Sequence, residues 1–418
     1  MRPVPQMLLI TFFAVVAASD RVSAQEWTRF RGPNGSGISS ATTVPTKWTQ
    51  DDYNWKVKLP GVGHSSPVLW GHRLFITSGD EETGKRIVLC FDARSGDQIW
   101  QRDFQAEPNR KHSLNSFASP TPVVDDKRVY VSWGTPKEIV ILALNHDGEE
   151  SWRYDLGSFH SGHGFGVSPM IYGESLIMPN DDSTDSSWIA LDRSTGKIHW
   201  KQKRETKLHY STPCVFRRPN AAPELIFTNY ELGICGVDPA TGEVNWNAKV
   251  FDESHVEAAI ASPVVAGDLV IGTCGYLGHG YEVIAVRPDS EATKPADKIV
   301  WRIARGAPLC PTPLVKDDMI FLFSDNGIAT CADVATGKLH WQKRIGGNFY
   351  SSPICIGDYI YNASVDGEMI VLAAAKEYNL VARNDLGEPS HATPAVVDGI
   401  MYARTFSHLF SIGGAKND

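Results

Sequence analysis

The chain has 418 residues, a hydrophobic content of 42% and a formal net charge of −8 at pH 7. This hydrophobic content supports a large buried core, and the acidic, unclustered charge argues against nucleic acid and anionic membranes as partners. After the first 24 residues no long helical pattern appears, while 36 glycines and 25 prolines indicate frequent turns.

Residues 1–24 have the features of a secretory signal peptide. Arg2 is followed by an apolar run of 12 residues from Met7 to Ala18, and the segment ends in a small-x-small pattern at Ala24. An uncleaved anchor is the alternative, but 12 apolar residues are too few to span a bilayer. We therefore expect cleavage after Ala24, export to the periplasm or the extracellular space, and a mature chain with no transmembrane segment.

Residues 25–47 form a Gly-rich lead-in, in which Arg31 to Gly37 shows no strand periodicity. The pattern predicts a loop that caps one face of the molecule, and deleting residues 25–40 is expected to cost little stability. The segment from Asn54 to Leu59 differs, because Trp55 is followed by alternating apolar residues. It resembles the last strand of a sheet whose other strands lie elsewhere in the chain.

The stretch from Pro313 to Trp341 is the unit that the chain repeats. Apolar runs alternate there with turn signals, and Asn326-Gly327 readily supplies the positive φ of a hairpin turn. Four antiparallel strands in about 35 residues correspond to one blade of a β-propeller.

Two signals recur with this unit. An Asp precedes a Trp by eight positions in four copies, with a Gly between them: Asp92–Trp100, Asp192–Trp200, Asp238–Trp246 and Asp333–Trp341. A Ser or Thr followed by Pro opens each first strand, at Pro67, Pro122, Pro169, Pro213, Pro263, Pro313, Pro353 and Pro394. The eight prolines are spaced like the blades of a single array.

These counts predict an all-β, eight-bladed β-propeller that spans residues 48–414, followed by a tail at 415–418. The last Pro opens only three strands, so we expect the segment around Trp55 to complete that blade and close the ring. Seven tryptophans are predicted to brace neighbouring blades: Trp55, Trp100, Trp152, Trp200, Trp246, Trp301 and Trp341. Ala382 occupies the eighth place, which predicts a weak junction there.

The spaced Asp, Thr-Gly and Trp resemble the tryptophan-docking motif of pyrroloquinoline-quinone-type (PQQ-like) β-propellers. This family includes quinoprotein alcohol dehydrogenases and a cofactor-free outer-membrane protein assembly factor. The resemblance implies the fold, but it leaves the activity open because one fold hosts many functions. The vicinal disulfide of the dehydrogenases has no counterpart, since no two of the seven cysteines are adjacent.

Histidines are concentrated in the predicted connections between blades. Seven of the 13 fall there, and these are the candidate ligand-binding residues: His64, His112, His160, His163, His209, His255 and His391. We expect His64 and His391 to meet through ring closure. With acidic side chains at Asp80 to Glu82, Asp181, Asp182, Asp185 and Glu231, the rim could bind a transition metal and should gain positive charge below about pH 6.5. The alternative is that the histidines donate to nearby carbonyl groups.

The seven cysteines are interpreted as small buried strand residues, with a bridge between Cys214 and Cys235 left open. No motif for a hydrolase or a phosphate loop is present, so no catalytic or cofactor-binding residue is predicted. We expect a monomeric, exported binding or scaffold module for a protein, peptide or glycan, with no cofactor. The alternative is a PQQ- and Ca²⁺-dependent alcohol or polyol dehydrogenase.

Overall fold

A computed structural model describes residues 27–181, 186–205, 209–229, 232–251, 259–276, 280–288 and 294–414. The predicted leader and the tail at 415–418 lie outside these residues. Eight antiparallel sheets of four strands each, one of them with an added fifth strand, account for the described strands. The eight-bladed, all-β propeller is confirmed.

Each of the first seven blades uses four consecutive strands, numbered here from the axis outward. Blades one to four consist of Val68–Trp70, Arg73–Gly79, Arg86–Asp92 and Gln98–Phe104; Val123–Val124, Arg128–Gly134, Ile139–Asn145 and Glu150–Asp155; Met170–Tyr172, Ser175–Asn180, Ser187–Asp192 and Ile198–Lys203; and Cys214–Phe216, Glu224–Asn229, Gly233–Val237 and Val244–Ala248. Blades five to seven consist of Val264–Ala266, Leu269–Tyr276, Gly280–Val286 and Ile299–Ile303; Leu314–Lys316, Met319–Phe323, Ile328–Asp333 and Leu339–Arg344; and Ile354–Ile356, Tyr359–Ala363, Glu368–Ala373 and Leu380–Asp385. Three short 3₁₀ helices lie at Pro33–Gly35, Gln50–Asp52 and Pro295–Lys298.

The eighth blade joins the two ends of the described chain. Its inner three strands are Ala395–Val397, Ile400–Arg404 and His408–Gly413, and its outer strand is Trp55–Lys58. Trp55 pairs with Ser411 and Lys58 with His408 in an antiparallel register. The predicted closure by an N-terminal strand is confirmed, and it removes the open seam that a sequential ring would leave.

Burial across each blade follows from this packing. The middle strands are covered on both faces by neighbouring blades, so Ile139–Asn145 is buried at all but its last residue. The outer strands meet a neighbour on one face only, so in Ile198–Lys203 only Trp200 is buried. This is why the middle strands read as continuous apolar runs while the outer strands carry an isolated Trp.

Six of the seven predicted bracing tryptophans share one geometry. Each donates its indole N–H to a backbone carbonyl in the turn of the next blade: Trp55 to Ala93 (3.0 Å), Trp100 to His146 (2.8 Å), Trp152 to Arg193 (3.0 Å), Trp200 to Pro239 (2.9 Å), Trp301 to Val334 (2.8 Å) and Trp341 to Ala375 (3.1 Å). The turn glycine lies under the ring. At Gly96, φ is 77° and a Cβ would come within 2.7 Å of the Trp55 indole, so both conformation and space require glycine.

Trp246 departs from this geometry, since its indole N–H donates to the Glu224 carboxylate of its own blade at 3.1 Å. The turn that it would meet in the fifth blade includes residues 289–293, which lie outside the described part of the chain.

The junction beside Ala382 is not left unfilled, contrary to the expectation of a weak contact. Trp48 from the lead-in is only 5% exposed, belongs to the same apolar cluster as Ala382 and stacks on Tyr361 with ring centroids 6.4 Å apart. The amide of Asn384 accepts the Trp48 backbone N–H at 2.9 Å and donates to the Thr46 carbonyl at 3.0 Å. An indole from outside the repeat therefore occupies the space that the missing docking residue leaves.

Replacing Trp48 by alanine is expected to lower the free energy of unfolding by about 3 kcal/mol, because a buried indole leaves a cavity between the seventh and eighth blades. Equilibrium denaturation in urea measures this loss. Leu380→Ala is the matched control, since Leu380 lies on the same outer strand as Ala382 but is 36% exposed. Equal and small losses in the two variants would show that Trp48 does not support this junction.

The lead-in does not cap a face. It runs along the inner strands around the axis, where the backbone N–H groups of Leu69, Val124 and Cys355 donate to the carbonyls of Trp27, Thr28 and Gly37 at 2.9, 2.8 and 2.8 Å. Ile38–Ser39 then pairs in parallel with Ile354–Ile356 as a fifth strand of the seventh blade. Inner-strand edges that would otherwise face an open channel are paired by this segment.

Two arginines of the lead-in are buried at the axis. Arg29 donates to the carbonyl of Pro213 at 2.6 Å, and Arg31 donates to the carbonyl of Pro353 at 3.1 Å. Burial lowers the pKa of Arg29 to about 10 and that of Arg31 to about 9. Neither forms an ion pair with a carboxylate in the part of the chain that the structure describes, so carbonyl dipoles alone stabilise these charges.

Candidate functional site

The eight Ser and Thr residues that precede the strand-opening prolines form a ring around the axis. At six junctions the backbone N–H of one residue donates to the hydroxyl of its counterpart in the next blade: Ser66 to Thr121 (3.0 Å), Thr121 to Ser168 (2.9 Å), Thr212 to Ser262 (3.0 Å), Ser262 to Thr312 (3.1 Å), Thr312 to Ser352 (2.9 Å) and Ser352 to Thr393 (2.9 Å). We call these eight residues the hydroxyl ring. The Pro that follows each one has no N–H, so the hydroxyl bond is the link between blades at this level.

A cavity of about 580 Å³ lies against the hydroxyl ring, on the side of the blade-to-blade connections. All eight hydroxyl-ring residues line it, and so does Phe30 from the lead-in, which closes it toward the axis. Its volume is within the range of small-ligand pockets, about 300 to 1,000 Å³.

A second ring lies two residues before the hydroxyl ring in each connection. All eight of its members line the cavity, and their side chains differ from blade to blade: His64, Ser119, Gly166, Tyr210, Ile260, Cys310, Tyr350 and His391. We call this the variable ring. Its uniform spacing follows from the repeat, because each blade enters its inner strand in the same way.

Four of the seven candidate histidines line the cavity, namely His64, His112, His163 and His391. The rings of His64 and His391 have centroids 4.4 Å apart, so their predicted meeting through closure is confirmed. His112 and His163 form a second pair at 5.6 Å. The cavity therefore has two imidazole pairs on its wall.

The other three candidates lie elsewhere or outside the described residues. His160 is exposed and does not line the cavity. His209 is 1% exposed and lies beneath the rim, where its Nδ1 is 3.7 Å from the Asp181 carboxylate and its Nε2 contacts the Ser211 hydroxyl. His255 falls among residues that are not described, as do Asp182, Asp185 and Glu231.

The geometry of Asp181, His209 and Ser211 resembles a nucleophile with a base and an orienting acid. All three side chains are buried, however, and none lines the cavity. Ser211 also bonds to the Thr228 hydroxyl at 2.8 Å. A substrate has no access to this hydroxyl, so the cluster packs the fourth blade and has no catalytic assignment.

The expectation that these histidines become charged near pH 6.5 is wrong for three of them. Burial, with the neighbouring His391 and Arg404, holds the pKa of His64 well below its usual value. Burial lowers the pKa of His391 to about 4 and that of His209 to about 3. At neutral pH the wall formed by His64 and His391 is uncharged.

Stability should therefore fall as pH is lowered from about 6.5 toward 4. A histidine with a depressed folded-state pKa binds its proton mainly in the unfolded chain over that interval, so protonation favours unfolding there. His391→Gln should flatten the dependence of the unfolding free energy on pH between 6.5 and 4.5. Parallel curves for the variant and the unchanged protein, measured by urea denaturation, would contradict the depressed pKa.

Sequence reasoning missed the side of the cavity opposite the histidine pairs. Asp325 was assigned only to a hairpin turn, yet its carboxylate oxygens accept the backbone N–H groups of Leu309 at 2.6 Å and Cys310 at 3.1 Å. Burial raises the pKa of Asp325 and, together with the neighbouring Cys310 and Asp325, that of Tyr350. Counting three positions back from each strand-opening Pro would have found Tyr210, Cys310 and Tyr350.

The donor set of the cavity does not fit a quinone with its cation. None of the five tryptophans left over from docking lines the cavity: Trp27, Trp48, Trp70, Trp133 and Trp188. Trp188 is stacked between Phe227 at 4.0 Å and the Arg204 guanidinium at 3.9 Å. Across the described residues no group of three or more His, Cys, Asp and Glu side chains could hold a metal ion. A planar cofactor bound through Ca²⁺ needs both an aromatic platform and such ligands.

All seven cysteines are free thiols, and six of them are buried. Cys214 and Cys235, for which a bridge was left open, are both free, and burial raises the pKa of each to about 12. Thiols with raised pKa values are poor nucleophiles, so these cysteines serve as small core residues.

Within the described residues, no helix is long and apolar enough to cross a bilayer.

Comparison with known proteins places this architecture in a family. A family model described as outer membrane protein assembly factor BamB matches residues 84–292 and 289–407. Outer membrane protein assembly factor BamB from Yersinia pestis is 22% identical over 351 residues, which cover 82% of this chain and 72% of that protein.

Among solved structures, BamB from Moraxella catarrhalis is similar with a TM-score of 0.60 and 14% identity, covering 87% of this chain and 99% of that one. A europium-containing methanol dehydrogenase is similar with a TM-score of 0.67 and 10% identity over 92% of this chain and 90% of that one. Quinohemoprotein alcohol dehydrogenase from Comamonas testosteroni has a TM-score of 0.60 and 12% identity over 94% of this chain and 81% of that one. At these identities the structural likeness shows the fold alone. The family model, which matches well over half of the sequence, shows that the chain belongs to the PQQ-like β-propeller family of the outer membrane protein assembly factor BamB.

Proposed function

We propose that this protein is an exported binding and scaffold module that engages a partner protein on the face of the blade-to-blade connections and works without a bound quinone. The relatives described as outer membrane protein assembly factors support a role in holding other proteins. The predicted signal peptide supports export.

The contrast between the two rings carries this proposal. The hydroxyl ring uses only Ser and Thr in all eight blades, as expected of residues that link the blades. The variable ring places side chains of different chemistry at the same eight positions, including His, Tyr, Ile and Cys. A surface on which repeated geometry presents unrepeated side chains is suited to recognition, whereas the opposite face repeats the same Asp and Thr-Gly turns.

The lining residues also weigh against quinone chemistry. Asp325 is the only carboxylate among them, and no indole is present to stack on a planar cofactor. Aromatic side chains, imidazoles and hydroxyls remain, and these recognise ligands without carrying out electron transfer.

Site-specific photo-cross-linking tests the binding face. A photoreactive residue at Leu114, which lines the cavity and is 36% exposed, should give a discrete cross-linked partner in the cell envelope. The matched control is the same residue at Ser194, in an exposed turn of the third blade on the opposite face. Tyr350→Ala should abolish the cross-link from Leu114. Identical products from the two positions, or a Leu114 product that Tyr350→Ala leaves unchanged, would refute a partner on this face.

A further inference from the structure

We propose that the cavity above the hydroxyl ring is a carbohydrate subsite that takes a neutral mono- or disaccharide unit. This inference goes beyond the partner-binding role and concerns the cavity itself rather than the rim. It rests on the donors, the charge and the aromatic surface that the lining residues provide.

The floor of the cavity supplies hydrogen-bond donors. At six junctions the ring hydroxyl already accepts a backbone N–H from the preceding blade. A hydroxyl that accepts one bond still carries its own O–H, which is free to turn toward a ligand. A closed ring of such groups matches a ligand with many acceptor oxygens, and a sugar has an oxygen on nearly every carbon.

The charge at the cavity favours an uncharged ligand over an anion. No Lys or Arg side chain is among the lining residues. The nearest buried guanidinium groups donate to protein oxygens instead, Arg31 to the Pro353 carbonyl at 3.1 Å and Arg404 to the Ser65 hydroxyl at 2.9 Å. An anion would lose its hydration without gaining a direct ionic partner, and Asp325 would repel it.

The wall supplies an acceptor and apolar surface in the arrangement that a pyranose needs. Asp325 uses each carboxylate oxygen for one backbone N–H, which leaves further lone pairs for sugar hydroxyls. Tyr350 packs edge to face against His391 with centroids 5.0 Å apart, and Tyr210 and Phe30 are half-buried lining residues. A sugar ring has a C–H face that packs on such aromatic side chains and a polar edge that reaches the carboxylate and the hydroxyls.

Calorimetric titration of the purified protein with maltose, cellobiose and lactose tests the proposal. At least one of these neutral disaccharides should bind saturably near one equivalent, while glucuronate and inorganic phosphate should bind at least about tenfold more weakly. Asp325→Asn and Tyr350→Ala should each weaken disaccharide binding by about tenfold or more. Ile198→Ala, at a 49% exposed position on an outer strand, should leave it unchanged.

Thermal unfolding of each variant establishes that it is folded, and if Asp325→Asn does not fold, Tyr350→Ala carries the test alone. Absence of saturable binding by all three disaccharides would overturn the proposal, as would tighter binding of phosphate or glucuronate, or sugar binding that both variants leave unchanged. Such a failure would leave the cross-linking result at Leu114 untouched. A failed cross-link with intact sugar binding would instead reject only the partner protein.

Discussion

Replacing Trp55 by alanine is expected to lower the free energy of unfolding of the whole propeller by about 3 kcal/mol or more. Its strand completes the eighth blade, and its indole donates to the Ala93 carbonyl in the first blade at 3.0 Å. The substitution therefore weakens both the seam and the adjoining junction. Because every blade depends on two neighbours, loss at the seam should appear as one cooperative transition at lower urea concentration.

Trp246→Ala is the informative comparison for this result. Trp246 has the same place in its repeat but donates to Glu224 within its own blade and is partly exposed. It should cost clearly less than Trp55→Ala. If both substitutions have the same small effect, the ring is not closed through Trp55.

Deleting residues 27–40 is expected to destabilise the protein still more, on the order of 5 kcal/mol or above. This reverses the expectation from the sequence. The deletion removes Trp27, which is fully buried, and exposes inner-strand N–H groups such as those of Leu69 and Cys355 that this segment satisfies.

The control for the deletion is Lys47→Ala, an exposed position later in the same lead-in. Its unfolding midpoint in urea should match that of the unchanged protein. A deletion variant with a midpoint equal to that of Lys47→Ala would show that the axial segment is a loosely held loop.

The repeat made the propeller predictable, whereas the lead-in did not. The spacing of Asp, Gly and Trp states the same local structure several times, so an error in one copy is corrected by the others. The segment around Arg31 occurs once and has no periodicity. Its conformation depends on bonds to residues as distant as Pro353, which no local pattern contains.

The candidate site was predictable to the same extent. The closeness of His64 and His391 follows from counting blades, so the sequence was sufficient. The burial of His209 was not predictable, because it depends on its contact with Asp181 beneath the rim. Asp325 was read as a turn residue, since a carboxylate in a hairpin gives no sign that it also accepts two N–H groups from another connection.

The claim that this propeller binds ligands without quinone chemistry is tested most directly by titrating the purified protein with PQQ in the presence of Ca²⁺. The absorption spectrum and the reduction of an electron-accepting dye by an alcohol or polyol are followed together. We expect a spectrum equal to the sum of protein and free quinone, with no dye reduction. A saturable spectral change near one equivalent, accompanied by alcohol-dependent dye reduction, would contradict the account and identify a quinoprotein dehydrogenase.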